Sequence, residues 1–158
     1  MQNNIPGLKL DFSKSPTIWK FLQDKSFVRG LIGPVGSGKS YACCAEIFKR
    51  AIQQKPSPRD GIKYSRFVIV RNSYPMLKTT TLKTWLELFP EHIYGPVHHS
   101  PPITHHIKLP SRDGAAGIDC EVIFLALDQP KDTRKLLSLE ITGAWINECR
   151  ELPKAVID

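Results

Sequence analysis

The sequence lacks the features that mark a membrane protein, an exported protein or a repetitive one. No apolar stretch approaches the ~20 residues that cross a bilayer, and the N-terminus, MQNNIPGLKLDF, has no charged segment followed by an apolar one. Internal repeats and low-complexity segments are also missing. We therefore expect a chain that stays in the cytoplasm, and its 41% of apolar residues is typical of a folded protein.

The four cysteines lack the paired spacing of a zinc or redox site. Cys43 and Cys44 are adjacent, whereas Cys120 and Cys149 stand alone. In a reducing compartment cysteines stay thiols, and free cysteines most often serve as small buried apolar side chains. That is the role we expect for all four.

The histidines do not predict a metal site either. His98-His99 and His105-His106 are adjacent pairs, and neighbouring residues on a strand point to opposite faces. At most one member of each pair could therefore face a common ion.

Length and charge indicate one basic domain. A chain of 158 residues can bury a real core, and we expect a single domain over 1–158, with a short helical segment at about 1–25 and a core at about 26–158. The net charge of +7 favours a polyanionic partner such as nucleic acid. A basic surface that is merely solvated is the alternative.

Apolar periodicity and turn residues predict strands that alternate with helices. This order predicts an α/β fold with a mostly parallel sheet, covered by helices on both faces, and a β-hairpin insertion around Asp113-Gly114. The predicted helices are 16–24, 39–54, 81–89, 131–139 and one that begins near Cys149, and the predicted strands are 27–32, 66–70, 104–110, 118–128 and 143–146.

The stretch GPVGSGKS matches the phosphate-binding pattern G-x-x-x-x-G-K-[ST] at every fixed position. It follows a predicted strand and opens a predicted helix, as the pattern requires. Glycines let backbone N–H groups turn inward around phosphate oxygens, Lys39 can reach the β and γ phosphates, and the Ser40 hydroxyl can bind Mg²⁺. We therefore predict ATP and Mg²⁺ as ligands, bound by Gly33, Pro34, Val35, Gly36, Ser37, Gly38, Lys39 and Ser40.

The stretch GAWINE ends a predicted strand with Asn147 and Glu148. Hydrolysis needs a metal-side acceptor and a group that orients the attacking water. The Asn147 side chain can accept from a metal-bound water, without the charge of an aspartate, so we predict it as a weaker Mg²⁺ residue. Glu148 keeps a carboxylate, and we predict that it is catalytic. A turn with a surface charge is the alternative.

Arginines often stabilise the charge that develops on the γ phosphate. Arg134, Arg150 and Arg71 are the candidates, although each alone is more often solvated or paired. Arg150 stands two residues after Glu148 and could instead brace its carboxylate. Trp19 and Phe21 precede the Gly-rich loop, where an aromatic ring could cover an adenine, but core packing is their commoner role.

With GPVGSGKS, RFVIVRNSYPMLKTTTLKTW and LSLEITGAWINECREL in this order, the chain resembles the N-terminal ATPase region of the large terminase subunit of tailed bacteriophages. The resemblance implies a RecA-like (ASCE) P-loop fold, phosphate and Mg²⁺ binding by Lys39 and Ser40, and a catalytic Glu148. It also implies ATP-driven packaging of double-stranded DNA into procapsids in the host cell cytoplasm. The implied partners are the portal protein, the small terminase subunit and further copies of the chain in a ring.

The chain departs from this family at two positions. Some large terminases place an arginine that acts on the neighbouring subunit where this chain has Leu137, which leaves Arg134 as the substitute that we predict to be catalytic. Asn147 replaces the first member of an acidic pair. Family members also continue into a coupling motif and a nuclease, so we expect a truncated ATPase domain without the nuclease. A helicase or other P-loop translocase, and a nucleotide-binding or DNA-binding module without hydrolysis, remain the alternatives.

Overall fold

The computed structural model describes residues 11–129, 134, 136, 138–152 and 154. Over these residues the chain has an α/β fold in which helices flank a five-stranded mixed sheet. None of the described helices is long and apolar enough to cross a bilayer. The helices are α1 (Pro16–Gln23), α2 (Lys39–Ile52), α3 (Tyr74–Met76), α4 (Lys83–Leu88) and α5 (Glu91–Tyr94), with a π-helical segment (Leu77–Leu82) and a 3-10 turn (Cys149–Glu151). The strands are β1 (Lys63–Arg71), β2 (Val97–His98), β3 (Ile103–Leu109), β4 (Ile118–Ala126) and β5 (Gly143–Ile146).

The sheet has the strand order β2-β3-β4-β1-β5. Strand β1 pairs in parallel with both β4 and β5, whereas β3 pairs antiparallel with both β2 and β4. The prediction of a mostly parallel sheet is therefore wrong, because the predicted hairpin joins the main sheet through β4 instead of standing apart. The predicted Asp-Gly turn is confirmed, since Asp113 and Gly114 have φ angles of 47° and 78°, which type I′ hairpin turns require.

Side chains from both faces of β1 are buried. Phe67 and Ile69 pack with α2, α4 and their aromatic residues, and Val68 and Val70 pack with Ile123, Leu125, Leu127 and Leu152 on the opposite face. Alternation along a strand sends successive side chains to opposite faces, so an apolar run without polar interruption fits a strand covered on both sides. The predicted burial of this strand is confirmed.

Helix α2 packs on one face of the sheet, against β1, β4 and β5. Ala42, Ile47 and Ala51 are buried, as the helical spacing predicts. The Lys63 ammonium, at the start of β1, donates to the carbonyl of Ile52, at the end of α2, over 2.6 Å. The last turn of α2 thus lies at the start of β1, and the helix also contacts β5, which pairs with the second half of β1. We infer that α2 runs antiparallel to β1, with its first turn directed toward the carboxyl ends of these strands.

The predicted strand at 27–32 does not form. Phe27, Val28 and Ile32 are 103%, 81% and 96% exposed, and no described strand pairs with this segment. An apolar run has strand propensity, but a strand also needs a neighbour that satisfies its backbone N–H and C=O groups. Strand β5 is an edge strand of the sheet, and no described strand, including the segment 27–32, pairs with its outer edge.

The helix predicted at 81–89 begins earlier, at Tyr74, and passes through the π-helical segment Leu77–Leu82. Threonine has a low helix propensity because its hydroxyl competes for backbone groups, so the run of three threonines conceals the helix in the sequence. In the structure the Thr79 and Thr80 hydroxyls donate to carbonyls four residues earlier, at 2.9 and 2.6 Å.

The cysteines differ in burial. Cys44 and Cys120 are buried as predicted, and burial raises the pKa of the Cys120 thiol to about 11. Cys43 is only partly buried. Cys149 is exposed, so its predicted place in the core is wrong. The predicted helix at 131–139 and the helix after Cys149 lie largely outside the described residues.

His105 is a buried histidine with two hydrogen bonds. Its Nδ1 accepts from the Trp85 indole N–H over 2.9 Å, and its Nε2 lies 2.9 Å from the carbonyl of Gly95. This geometry fits the neutral ring with a proton on Nε2, and burial lowers the pKa of His105. The neighbouring His106 is exposed and pairs with Asp119, and the described residues contain no group of three His, Cys, Asp or Glu that could hold a metal ion.

We expect His105 to make the folded protein less stable as the pH falls below about 6.5. The pKa of His105 is lower in the folded state than in the unfolded state, so the unfolded state binds a proton at a higher pH. The free energy of unfolding is therefore highest above the unfolded pKa, and it decreases as the pH falls toward the folded pKa. Urea unfolding between pH 7.5 and 5.5 measures this slope. His105→Gln can accept and donate in the same place but does not titrate, so the slope should shrink. The matched variant at an exposed histidine of β2, His98→Gln, should retain it, and an equal slope in both variants would contradict the assignment.

Candidate active site at the carboxyl edge of the sheet

The Gly-rich loop reaches α2 through two glycines in the left-handed region. Gly36 and Gly38 have φ angles of 77° and 80°, which residues with a Cβ adopt at a cost. Gly38 is also the N-cap of α2, and its carbonyl accepts from Ala42 N–H over 2.9 Å. A Cβ on Gly38 would lie 3.3 Å from Cδ1 of Ile18 in α1. These glycines therefore permit both the turn and the close approach of α1.

Lys39 folds back over the loop that precedes it. Its ammonium donates to the carbonyls of Gly33 and Pro34 over 2.7 and 2.6 Å and lies 3.3 Å from the Ser37 hydroxyl. Ser40 follows in the first turn of α2, where the backbone N–H groups have no partner within the helix. The loop thus brings an ammonium, a hydroxyl and free N–H groups to one helix start, a combination that suits an anion.

An ion-pair cluster anchors the chain that leads into this loop. Arg29 lies 2.8 Å from the buried Glu46 of α2 and donates to two backbone carbonyls at the end of α1, both at 3.1 Å. Burial raises the pKa of Glu46, but hydrogen bonds from Lys49, Arg50 and Arg29 outweigh it, and the pKa is lowered. The carboxylate therefore stays charged and connects α1, α2 and the segment between them.

The two aromatic residues of α1 differ in burial. Trp19 is 54% exposed, so its predicted core role is wrong, and Ile18 provides the buried contact of this helix. Phe21 is partly buried and lies under the Arg29 guanidinium, 4.9 Å from the ring centroid. Ile18, the neighbour of Trp19 in α1, is the residue of this helix that lies against Gly38.

Asn147 continues β5 and is fixed by two hydrogen bonds. Its backbone N–H donates to the Val70 carbonyl of β1, and its side-chain Nδ2 donates to Oγ1 of Thr81, each over 2.9 Å. Thr81 is buried in the π-helical segment. With Nδ2 bonded to Thr81, Oδ1 of Asn147 is the side-chain atom that remains to accept a hydrogen bond, and it has no partner within the part of the chain that the structure describes.

Glu148 turns out of the strand in a left-handed conformation, with φ 55° and ψ 55°. A residue with a Cβ pays about 1–2 kcal/mol for this conformation, and such strain concentrates at functional positions. The Arg150 guanidinium lies 3.7 Å from the Glu148 carboxylate, the bracing arrangement considered for this arginine. The carboxylate is partly exposed and can reach a ligand or a water.

The other candidate arginines lie in different surroundings. Arg71 is buried at the end of β1, beside Asn147. Arg134 is exposed, and no described contact connects it with Glu148, so its catalytic role stays a prediction. Leu137 lies outside the described residues.

Sequence reasoning missed Thr81 and Asn72 as neighbours of this edge. Asn72 follows β1 directly, so the rule that placed Asn147 after β5 could also have found it. Nothing in the sequence connects Thr81 with Asn147, which stands 66 residues later.

The chain thus has a Gly-rich helix start, an oriented amide and a strained glutamate toward one edge of an α/β sheet. Searches against protein-family models, curated proteins and solved structures found no match for the chain.

Proposed function

We propose that this chain binds ATP with Mg²⁺ at the carboxyl edge of the sheet and hydrolyses it. The observation that carries the proposal is the Gly33–Ser40 loop, whose left-handed glycines open directly onto α2. Because α2 is antiparallel to β1, and β5 is parallel to β1, this helix start is directed toward the same edge as Asn147 and Glu148. In α/β proteins that edge commonly binds nucleotides.

The loop provides the groups that bind phosphate. The N–H groups that begin α2 donate to phosphate oxygens, and the helix dipole adds positive potential there. Lys39 exchanges the carbonyls of Gly33 and Pro34 for the β and γ phosphates, which carry full negative charge and are better acceptors for an ammonium. Trp19 is exposed on α1, the helix whose Ile18 lies against Gly38, and we propose it as a candidate to stack on a base.

The donor set also fits Mg²⁺. This ion takes oxygen ligands and retains several of its waters, and the Ser40 hydroxyl and the free Oδ1 of Asn147 are suitable ligands, the latter through a water. When bound, Mg²⁺ neutralises phosphate charge and favours displacement at the γ phosphate. Without a second carboxylate at position 147 we expect weaker metal binding.

Glu148 orients the attacking water in this proposal. Its carboxylate is the hydrogen-bond acceptor that a water needs in order to direct a lone pair at phosphorus. Arg150 holds the carboxylate from one side and leaves its other lone pairs for the water. The left-handed backbone at Glu148 directs the side chain out of the strand.

We further propose that this ATPase is the motor domain of a viral large terminase subunit, with a RecA-like P-loop fold. Three stretches support this, GPVGSGKS, RFVIVRNSYPMLKTTTLKTW and LSLEITGAWINECREL, which have the order and character of that family. The net charge of +7 suits a double-stranded DNA track. Its partners would then be a portal protein, a small terminase subunit and further copies of the chain in a ring, with Arg134 or another exposed arginine acting between copies.

The experiment is phosphate release by the full-length protein with Mg·ATP, with and without double-stranded DNA, over a range of salt. We expect hydrolysis that DNA stimulates, and DNA binding that is independent of sequence and weakens steeply as salt rises. Nucleotide binding without turnover would favour the module without hydrolysis, and ATP-driven strand separation would favour a helicase. Sequence-selective or salt-insensitive DNA binding would contradict the proposed track.

A further inference from the structure

Arg71 is a buried cation with donors that no described residue satisfies. The residue is 6% exposed, and its Nε and Nη1 have no hydrogen-bond partner among the described residues. Its remaining nitrogen, Nη2, lies 3.6 Å from a carboxylate oxygen of Glu151, which is longer than a good hydrogen bond. Burying unpaired N–H groups of a charged side chain is costly, so a structural role alone does not explain this residue.

The position of Arg71 connects it with the candidate site. It is the last residue of β1, and alternation places its side chain on the face of Phe67 and Ile69, which α2 covers. Helix α2 starts toward this end of the strand. On the other side of β1, Asn147 N–H donates to the carbonyl of Val70, the residue before Arg71. Arg71 thus lies beside the Asn147–Glu148 turn, on the face of the sheet that α2 covers.

Asn72 adds a second unsatisfied group at this point. Its Oδ1 is buried and has no hydrogen-bond partner among the described residues. Arg71 and Asn72, at the end of a central strand, therefore both have buried polar atoms without a hydrogen-bond partner among the described residues. The guanidinium of Arg71 is a cation that binds anions, and it can donate several N–H groups to one phosphate.

We propose that Arg71 is a subsite for the terminal phosphate of the nucleotide and acts within its own subunit. The inference rests on the proposed ATP site. A terminal phosphate carries more negative charge than the Glu151 carboxylate, whose side chain is 37% exposed and screened by water, so it displaces Glu151 from the guanidinium. Burial also excludes Arg71 from reaching into a neighbouring subunit, a task that requires an exposed side chain such as Arg134.

The test compares ADP with a non-hydrolysable ATP analogue, by calorimetry with Mg²⁺ present. Arg71→Met fills a similar volume without charge, and we expect its affinity for the analogue to fall about tenfold while that for ADP stays within about twofold. Its melting temperature without nucleotide should not fall, because the substitution removes a buried guanidinium with two unsatisfied donors and only one long contact to a carboxylate. A residue with a merely structural role would instead lower the melting temperature and both affinities together.

A second variant tests the same subsite without touching the buried side chain. Glu151→Gln removes the carboxylate that competes for the guanidinium, so we expect the affinity for the ATP analogue to rise about twofold to fivefold, with ADP binding unchanged. The matched control is Arg112→Gln, which removes an exposed arginine in the β3–β4 loop and should leave both affinities as they are.

The outcomes separate this inference from the proposed ATP site. If the wild-type protein binds neither nucleotide, the proposed site itself is wrong. If the wild type binds both, and Arg71→Met and Glu151→Gln keep the wild-type ratio of analogue to ADP affinity, the ATP site stands and the role of Arg71 is wrong.

Discussion

We expect Glu148→Gln, in the full-length protein, to bind Mg·ATP as tightly as the wild type and to turn it over about 10²–10⁴ times more slowly. Glutamine has the same shape, so the left-handed turn at this position and the packing around it should persist. An amide, however, cannot accept a proton or orient a water as a carboxylate does. Phosphate release at saturating ATP measures the loss, and binding of the non-hydrolysable analogue checks that the site is intact.

Glu140→Gln is the matched control for this substitution. Glu140 is exposed and precedes β5, so the change removes the same charge at a different place on the chain. Turnover by this variant should stay within about twofold of the wild-type value, as for surface changes away from a site. Full turnover by Glu148→Gln would assign the catalytic carboxylate to another residue, and loss of nucleotide binding would indicate that the turn itself had collapsed.

Asn147 and Glu148 differ in how the fold holds their side chains. Asn147 is held to the π-helical segment through Thr81, so a displacement of the amide would be transmitted to the helix that continues into α4. Glu148 carries the strain and the exposed carboxylate. The neutral residue is hydrogen-bonded to the fold, whereas the charged one turns out of the strand with a partly exposed carboxylate.

Local features of this chain were predictable because their causes are local. The Gly33–Ser40 spacing encodes a turn onto a helix, and the glycines at 36 and 38 have the left-handed φ angles that such a turn requires. The Asp113-Gly114 turn and the buried β1 follow in the same way from short-range pattern. In each case neighbouring residues alone determine the backbone conformation.

The incorrect predictions depend on contacts between distant parts of the chain. The segment 27–32 has the composition of a strand, but pairing depends on an edge that its own residues do not provide. The same holds for the sheet, which is mixed because the hairpin pairs through β4. The unsatisfied donors of Arg71 became visible only with its burial, since a sequence shows the charge of an arginine but not its surroundings.

Lys39→Ala should lower the affinity for Mg·ATP and for Mg·ADP at least tenfold, about 1.4 kcal/mol or more. The ammonium is the only side-chain charge of the loop itself, and its present partners are two carbonyls of the same loop. Those carbonyls lie at the surface and can bond to water instead, so the folded loop loses little when the lysine is removed. The melting temperature should therefore change by only a few degrees.

The matched control is Lys20→Ala, which removes an exposed lysine from the last turn of α1. It changes the net charge by the same amount, so any general effect of charge on nucleotide binding appears equally in both variants. Calorimetry with both nucleotides, at one salt concentration, gives the comparison. In the proposed site Lys39 binds the β phosphate as well as the γ phosphate, so we expect its loss to weaken ADP and ATP together, whereas we expect the loss of Arg71 to weaken ATP alone. Unchanged affinity for both nucleotides in Lys39→Ala would contradict the assignment of this loop as the phosphate site.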